Sequence, residues 1–336
     1  MKLLKRESAL RRLPFFVRRT RLNPTAACVT IRPMRPSEPI VLGLWPIAGV
    51  TTLGVTPTDA NATIAKAIEK GVTTFDTAYS YGYEGDSDKL LRPFLQRDRD
   101  RFQVIGKVGQ RWTASHERVV DGSPEQLTAD AEESLQRLGI ERFDLLMLHA
   151  VDPNVDVARS AAALVALKQR GLCQEIGVCN VTASERREFV ASAPCRAIQT
   201  PLNMLQREAL EQLVPDCLAD QTDVYVYWTL MKGLLAGKIT RDHQFAEGDS
   251  RPKYAVFQGD TRRRTHDFLD AIQPIADQLG LTIAQLSISW TLSQPGITAA
   301  LVGAHRPEQI EETCGAMRLS SATVAQIDSR IAQHGF

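Results

Sequence analysis

Eight apolar, β-prone runs alternate with helical patterns about every 25 to 35 residues from residue 40 onward. This alternation constrains the fold more than any other feature of the chain. The runs are nearly continuous in apolar character, which is typical of parallel strands covered on both faces. The predicted strands are IVLGLW (40–45), VTTFDTA (72–78), FQVIGKV (102–108), FDLLMLHA (143–150), EIGVCN (175–180), AIQTPLN (197–203), DVYVYWT (223–229) and AALVGA (299–304).

The segments between these runs carry helix start and stop signals. Residues 123–139 open with Ser-Pro, carry acids early and end at a glycine, and residues 59–71 and 158–171 end in the same basic-then-Gly manner. Eight strands alternating with helices predict an α/β fold of the (β/α)8 TIM barrel type. A doubly wound sheet is the alternative, but it normally shows GxGxxG after its first strand, and this sequence contains no GxGxxG.

One connection breaks the alternation. Residues 240–265, between the seventh and eighth predicted strands, are long, polar and rich in Pro and Gly. A connection of this length predicts either a functional lid or disorder. Its basic run, Arg262–Arg264, is interpreted as the solvated start of a helix.

The basic residues are distributed unevenly. Residues 1–35 carry ten Lys and Arg and one acid, whereas the remainder carries 30 basic and 38 acidic residues. We therefore expect a basic, disordered extension over 1–36 and one barrel domain over 37–336. The extension is compatible with a transit peptide, a disordered tail, or a start codon placed too early. An acidic body argues against nucleic-acid binding.

Cysteine spacing and hydropathy give further expectations. The six cysteines show no CxxC or zinc-type spacing, which predicts reduced thiols, no metal site and a cytoplasmic location. No apolar run is long enough to span a membrane. Oligomeric state is left open.

Polar residues stand at the ends of three successive predicted strands. Asp76 ends the second, Lys107 interrupts the third, and His149 ends the fourth, while Tyr81 follows Asp76 in the next loop. Each residue alone could be a turn cap, a packed side chain or a hydrogen-bonded core group. In a barrel they meet at the carboxyl ends of the strands, where catalytic residues lie. A buried carboxylate needs a cationic partner, and Lys107 is the candidate.

This grouping predicts acid catalysis on a carbonyl. A phenol has a pKa of about 10, and a nearby ammonium is expected to lower it. Asp76 would hold Lys107 charged, neutral His149 would donate a hydrogen bond to the carbonyl oxygen, and Tyr81 would deliver the proton. The grouping contains no hydride source.

These residues lie in segments that resemble the aldo-keto reductase family. GVTTFDTAYSYG resembles the signature G-x-x-x-F-D-T-A-x-x-Y-G, and the similarity covers about residues 40 to 330. Five further segments resemble family motifs in the correct order: FDLLMLHA, EIGVCN, AIQTPLNMLQR, VYWTLMKGLLAGK and SISWTLSQPGITAALVGAHRPEQIEE. The resemblance implies a tetrad of Asp76, Tyr81, Lys107 and His149, with Tyr81 as proton donor.

The resemblance also implies an extended nicotinamide cofactor across the mouth of the barrel. Asn180 and Gln199 match positions that hydrogen-bond the carboxamide, and Tyr227 matches the aromatic that stacks on the ring. Trp45 is expected to line the substrate pocket, together with His149. The other implied cofactor residues are Trp228, Leu230, Gly233, Lys238, Gly303, Arg306 and Gln309.

The sequence departs from the family pattern at several positions. Cys179 replaces a Ser, Leu202 replaces an aromatic, and Trp228–Thr229 replaces Ser-Pro. Gly303 and Gln309 stand where a Lys and an Arg often hold the 2′-phosphate of NADPH. Arg306 offers a substitute guanidinium in the same turn, so NADPH is expected, with NADH not excluded.

Three functions follow from these residues. The first is an NADPH-dependent reductase acting on a small-molecule aldehyde or ketone, possibly a sugar. The second is a non-catalytic NADPH-binding regulatory subunit. The third is a lyase that forms a Schiff base through Lys107.

Overall fold

The structure, a computed structural model, describes residues 39–336. The predictions for residues 1–36 therefore lie outside the described residues. The strands are β1 (Ile40–Gly43), β2 (Thr74–Asp76), β3 (Gln103–Val108), β4 (Gln110–Trp112), β5 (Arg118–Val120), β6 (Phe143–Leu148), β7 (Cys173–Cys179), β8 (Ala197–Pro201), β9 (Asp223–Tyr227) and β10 (Ala299–Gly303). The α-helices are α1 (Pro57–Glu69), α2 (Asp86–Arg97), α3 (Pro124–Leu138), α4 (Val157–Gln169), α5 (Ala183–Ser192), α6 (Leu213–Ala219), α7 (Gly259–Leu279), α8 (Ile283–Leu292), α9 (Pro307–Thr313) and α10 (Ser321–Gln333).

Eight of the strands form a closed parallel barrel. Their order around it is β1, β2, β3, β6, β7, β8, β9 and β10, and β10 pairs with β1 to close it. Helices connect the successive strands on the outside. The predicted (β/α)8 TIM barrel is confirmed, and each of its strands overlaps one of the eight predicted runs.

The barrel has two apolar layers because successive strand residues point to opposite faces. One cluster of buried side chains, which includes Ile105, Met147 and Tyr225, fills the interior. The residues between them, such as Val104 and Leu146, belong to the larger cluster beneath the helices. This alternation explains why the strands are apolar throughout: both of their faces are buried.

A close approach between β7 and β8 depends on a glycine. A Cβ atom placed on Gly177 would lie 2.3 Å from the carbonyl oxygen of Ala197. A side chain there would push apart two strands that carry candidate site residues at their ends.

The helices begin at the capping signals that the sequence contains. Thr56, Thr182 and Thr282 each accept a hydrogen bond from the third residue of the following helix, whose side chain returns the bond to the cap backbone. The basic run Arg262–Arg264 lies in the first turns of α7, as interpreted. Within residues 39–336, no helix combines the length and apolarity needed to cross a membrane.

The structure adds one element that the sequence did not suggest. Strands β4 and β5 form an antiparallel hairpin after β3, with Trp112 opposite Arg118. Both strands are only three residues long and each contains an arginine, so they lack the long apolar run by which the barrel strands were identified. The hairpin leaves the barrel at its mouth, the end at which the strands terminate.

Candidate active site

A buried ion pair lies at the top of the barrel interior. Lys107 Nζ is 2.5 Å from Asp76 Oδ1, and both side chains are 2% exposed. Lys107 also donates a hydrogen bond to the carbonyl oxygen of Thr77 at 3.0 Å. The carboxylate at the end of β2 thus has the cationic partner predicted for it.

Tyr81 and His149 lie beside this pair. Lys107 Nζ is 4.5 Å from the centroid of the Tyr81 ring, and the His149 ring is 5.8 Å from the same ring, edge to face. Trp45 packs on Tyr81 from another side, at 5.2 Å between ring centroids. The structure therefore brings the four predicted tetrad residues and the predicted pocket residue Trp45 into one group.

The electrostatics of Tyr81 differ from the expectation. Burial raises the pKa of Tyr81 to about 12, although the Lys107 ammonium acts in the opposite direction. The prediction of a lowered pKa is wrong for this structure, because desolvation of the phenolate outweighs the attraction of the cation. Tyr81 is consequently protonated at neutral pH, the form that a proton donor requires.

Lys107 and His149 hold the charge states that were expected. Burial lowers the pKa of Lys107, but the charge and hydrogen bond of Asp76, together with other nearby groups, act in the opposite direction. The net pKa lies above the usual value, so the ammonium persists. Burial lowers the pKa of His149 well below its usual value, and the positive charges of Lys107 and Arg118 lower it further. His149 is thus neutral, 7% exposed, and its Nδ1 has no hydrogen-bond partner among the described residues.

Two side-chain amides surround the tetrad. Gln199 Nε2 donates to Asp76 Oδ2 at 2.6 Å, and its Oε1 lies 3.6 Å from the thiol of Cys179. Asn180 Nδ2 donates to the carbonyl oxygen of His149 at 2.8 Å, and Tyr227 donates to Asn180 Oδ1 at 2.5 Å. Gln199 is therefore tied to the ion pair, a contact that the sequence did not suggest.

A cleft of about 560 Å³ runs outward from Trp45 across the mouth of the barrel. Seven residues predicted from the sequence line it: Trp45, Trp228, Leu230, Gly233, Lys238, Gly303 and Gln309. Its other wall is contributed by residues 243–251 of the long connection, including Asp249 and Arg251. The connection predicted to be either a lid or disordered is ordered here and borders the cleft.

The residues predicted to hold the adenosine end of the cofactor differ in where they lie. Arg306 is exposed at the start of α9 and is not among the residues that line the cleft, whereas His305 and Gln309 are. Lys238 does line the cleft, but its ammonium is 2.5 Å from Glu312. Sequence alignment to a motif cannot show whether a side chain beside a cleft points into it.

The hairpin supplies two side chains that the sequence reasoning missed. Trp112 Nε1 donates to the carbonyl oxygen of Ser80 at 2.9 Å, which ties the hairpin to the loop that carries Tyr81. Arg118 lies with its guanidinium carbon 4.7 Å from the ring centroids of both Trp45 and Trp112. The hairpin therefore borders the tetrad.

The residues present fit an extended dinucleotide. The cleft is lined by Gly233 and Gly303, which have no side chains to obstruct it, and it reaches Trp45, whose ring packs on Tyr81. Within residues 39–336, no group of three His, Cys, Asp or Glu side chains is placed to hold a metal ion. None of the five cysteines of this part of the chain forms a disulfide.

Comparison with known proteins places these features in a family. Residues 39–332 match the family described as the Aldo/keto reductase family. The aldo-keto reductase YhdN of Bacillus subtilis (strain 168) is 31% identical over 279 residues, covering 81% of this chain and 82% of that protein. The NADH-specific methylglyoxal reductase of Escherichia coli (strain K12) is 31% identical over 271 residues, covering 77% and 82%.

Solved structures agree with the sequence comparison. The glycerol dehydrogenase of Gluconobacter oxydans superposes with a TM-score of 0.82 at 28% identity, covering 88% of this chain and 92% of that one.

Proposed function

The chain belongs to the aldo/keto reductase family, and from that premise we propose that it reduces a small aldehyde or ketone to an alcohol with NADPH, using Tyr81 as the proton donor. Membership makes it an NAD(P)H-dependent oxidoreductase acting on carbonyl groups. The substrate, the choice between the two cofactors and the residue roles are the proposed parts.

The observation that carries this proposal is the buried Lys107–Asp76 pair beneath a protonated Tyr81. In the reaction the carbonyl carbon gains a hydride and the oxygen gains a proton. The neutral His149 side chain donates a hydrogen bond to the carbonyl oxygen, which orients and polarises it. Tyr81 then gives its phenolic proton to the forming alkoxide, and the Lys107 charge stabilises the phenolate left behind.

A nicotinamide cofactor would supply the hydride. Trp228, Leu230, Gly233 and Lys238 line one wall of the cleft, and Gly303 and Gln309 line the end nearest α9. Tyr227, fixed by its hydrogen bond to Asn180, is proposed to support the nicotinamide ring. Gln199 contributes indirectly, because its amide group is engaged by Asp76 and Cys179.

NADPH is the proposed cofactor because Arg306 is exposed at the start of α9, next to His305, which lines the cleft, and a guanidinium suits a 2′-phosphate. NADH is the second candidate. It is favoured because two of the three cations lining the cleft, Lys238 and Arg251, are bound to the carboxylates of Glu312 and Asp249. The third, Lys232, lies over the rings of Trp228 and Tyr254.

The two other functions considered from the sequence are less well supported. A regulatory subunit needs no proton donor, yet the Tyr81, Lys107, Asp76 and His149 group is assembled. A Schiff-base lyase needs a deprotonated lysine amine, whereas Asp76 keeps Lys107 charged.

The proposal is tested by mixing the enzyme with NADPH or NADH and a panel of small aldehydes and ketones, while the absorbance of the reduced cofactor is followed. Tyr81→Phe removes the phenolic hydroxyl, and with it the transferable proton, and should abolish most turnover. Cofactor binding, measured by fluorescence titration, should be retained in that variant. Turnover at the wild-type rate in Tyr81→Phe would contradict the assigned role. Cofactor binding by the wild type without any turnover would favour the regulatory subunit.

A further inference from the structure

One cation at the mouth of the barrel has no role in the proposed reaction. Arg118, on β5, lies between the indole rings of Trp45 and Trp112, with its guanidinium carbon 4.7 Å from each ring centroid. Two aromatic faces attract and orient a guanidinium. The group is therefore held in place without any carboxylate.

Arg118 is also unpaired. Within the part of the chain that the structure describes, it forms no ion pair and no hydrogen bond, and its side chain is exposed. Arg111, on the other strand of the same hairpin, differs: it is bound to Asp130 at 2.6 Å. Lys107 is likewise neutralised by Asp76. The five N–H donors of Arg118 thus remain available to a ligand.

The position of Arg118 relates it to the reacting groups. One indole, that of Trp45, separates the guanidinium from the ring of Tyr81, which is 5.2 Å from that indole. The charge of Arg118 also contributes, after burial and Lys107, to the lowered pKa of His149. A short substrate whose carbonyl group lies at Tyr81 and His149 would extend toward Arg118.

We propose that Arg118 determines substrate specificity by binding an anionic oxygen group, a carboxylate or a phosphate, on the carbonyl substrate. The proposal rests on the reductase function argued above. A planar guanidinium binds such groups through two parallel hydrogen bonds. The substrate class is accordingly a short aldehyde or ketone that carries a negative charge a few atoms from the carbonyl.

The hairpin is built to keep this group in position. Trp112 donates its hydrogen bond to Ser80, one residue before Tyr81, and Tyr83 packs on Trp112 at 5.1 Å. Tyr83 also stacks on His116 in the hairpin turn at 3.8 Å. The guanidinium and the proton donor are therefore fixed to the same loop. The distance between the group that binds the anion and the group that protonates the carbonyl is set by this attachment.

The test compares charged and uncharged substrates in matched pairs. Glyceraldehyde 3-phosphate is compared with glyceraldehyde, and succinic semialdehyde with butanal, for the wild type, Arg118→Met and Arg118→Lys. Arg118→Met should lower kcat/KM about tenfold to hundredfold more for the charged member than for the uncharged one. Arg118→Lys should restore part of the difference. The two pairs distinguish a phosphate from a carboxylate.

A control variant and a binding measurement separate the possible failures. Arg97→Met removes an exposed guanidinium from α2 and should leave the charged-to-uncharged ratio unchanged. Equal losses for both members of each pair in Arg118→Met would overturn the proposal and leave Arg118 as packing for the two indoles.

If the wild type reduced no aldehyde, the reductase function would fail, but the anion site would still be tested. Tryptophan fluorescence would then be titrated with succinate and with inorganic phosphate, since Trp45 and Trp112 flank the guanidinium. A saturable change lost in Arg118→Met supports the site, and the same response in both proteins overturns it.

Discussion

Gln199 donates a hydrogen bond to Asp76 across the interior of the barrel, at 2.6 Å, on the carboxylate oxygen that Lys107 does not contact. Strands β8 and β2 are four positions apart in the ring of eight, so the two residues come from opposite sides. The ion pair is therefore held by side chains from two opposite strands of the barrel, β2 and β8, whose positions are fixed by the packing of the barrel.

Removing this bond should destabilise the fold. Gln199→Met leaves Asp76 Oδ2 without its donor in a buried site, which should cost about 1–3 kcal/mol of unfolding free energy. Urea unfolding measures the change. Gln199→Glu should cost more at neutral pH, because a second carboxylate faces Asp76, and should recover as the pH is lowered. An unchanged unfolding midpoint in Gln199→Met would show that the contact contributes nothing.

The neutral state of His149 predicts a flat pH profile. Because the pKa of His149 is lowered well below its usual value, the ring is neutral above that value and does not titrate near neutrality. We expect kcat/KM for an uncharged aldehyde to stay constant between about pH 6 and pH 8. A limb near pH 6.5 that His149→Asn removes would contradict the neutral assignment.

Asp88 predicts an unusual contribution to the pH dependence of stability. It is fully buried, accepts hydrogen bonds from Thr77 and Ser134 at 2.6 Å each, and burial raises its pKa to about 6. The folded state therefore binds this proton more tightly than the unfolded state does. The contribution of Asp88 to stability should fall as the pH rises from about 4 to about 6, by roughly 3 kcal/mol, and stay constant above.

Asp88→Asn isolates this contribution. The variant keeps the shape of the side chain but cannot ionise. Its unfolding free energy should therefore increase relative to that of the wild type as the pH rises through this window. Urea unfolding at several pH values measures the difference. Parallel profiles for the two proteins would mean that Asp88 titrates as an ordinary carboxyl.

Substitution of Arg306 tests the choice between the two cofactors. If this arginine binds the 2′-phosphate, Arg306→Ala should weaken NADPH binding about tenfold to hundredfold and barely change NADH binding. Fluorescence titration with both cofactors measures this, with Arg97→Ala as a control for the loss of an exposed cation. Equal losses, or none, would remove Arg306 from the site and favour NADH through the neutralised Lys238 and Arg251.

The barrel could be predicted from the sequence because both faces of its strands are buried, which leaves continuous apolar runs. Asp76, Lys107 and His149 could be predicted as site residues because each is a polar residue that ends or interrupts an apolar run. Most of the runs overstate the strands by one to a few residues: the first, 40–45, contains β1, Ile40–Gly43. The exception is β7, which begins at Cys173, two residues before the predicted run 175–180. Apolar character continues into the turns, where backbone pairing has already ended.

Other features depend on contacts that no local pattern encodes. The Gln199–Asp76 bond joins residues 123 positions apart, and either side chain alone looks like a strand-end cap. The raised pKa of Tyr81 reflects how much of the ring the fold removes from water. The strands of the hairpin bearing Arg118 are too short to be recognised without the structure.

Closure of the barrel also bears on association between copies of the chain. Every barrel strand is paired on both sides, so none offers an open edge to a strand of another molecule. Among residues 39–336, strands with an unpaired edge occur only in the hairpin, where each is three residues long and carries an arginine, Arg111 or Arg118. Short, charged edges are poor templates for added strands. The unpaired strand edges of the hairpin should therefore not promote aggregation of the folded enzyme through added β-strands.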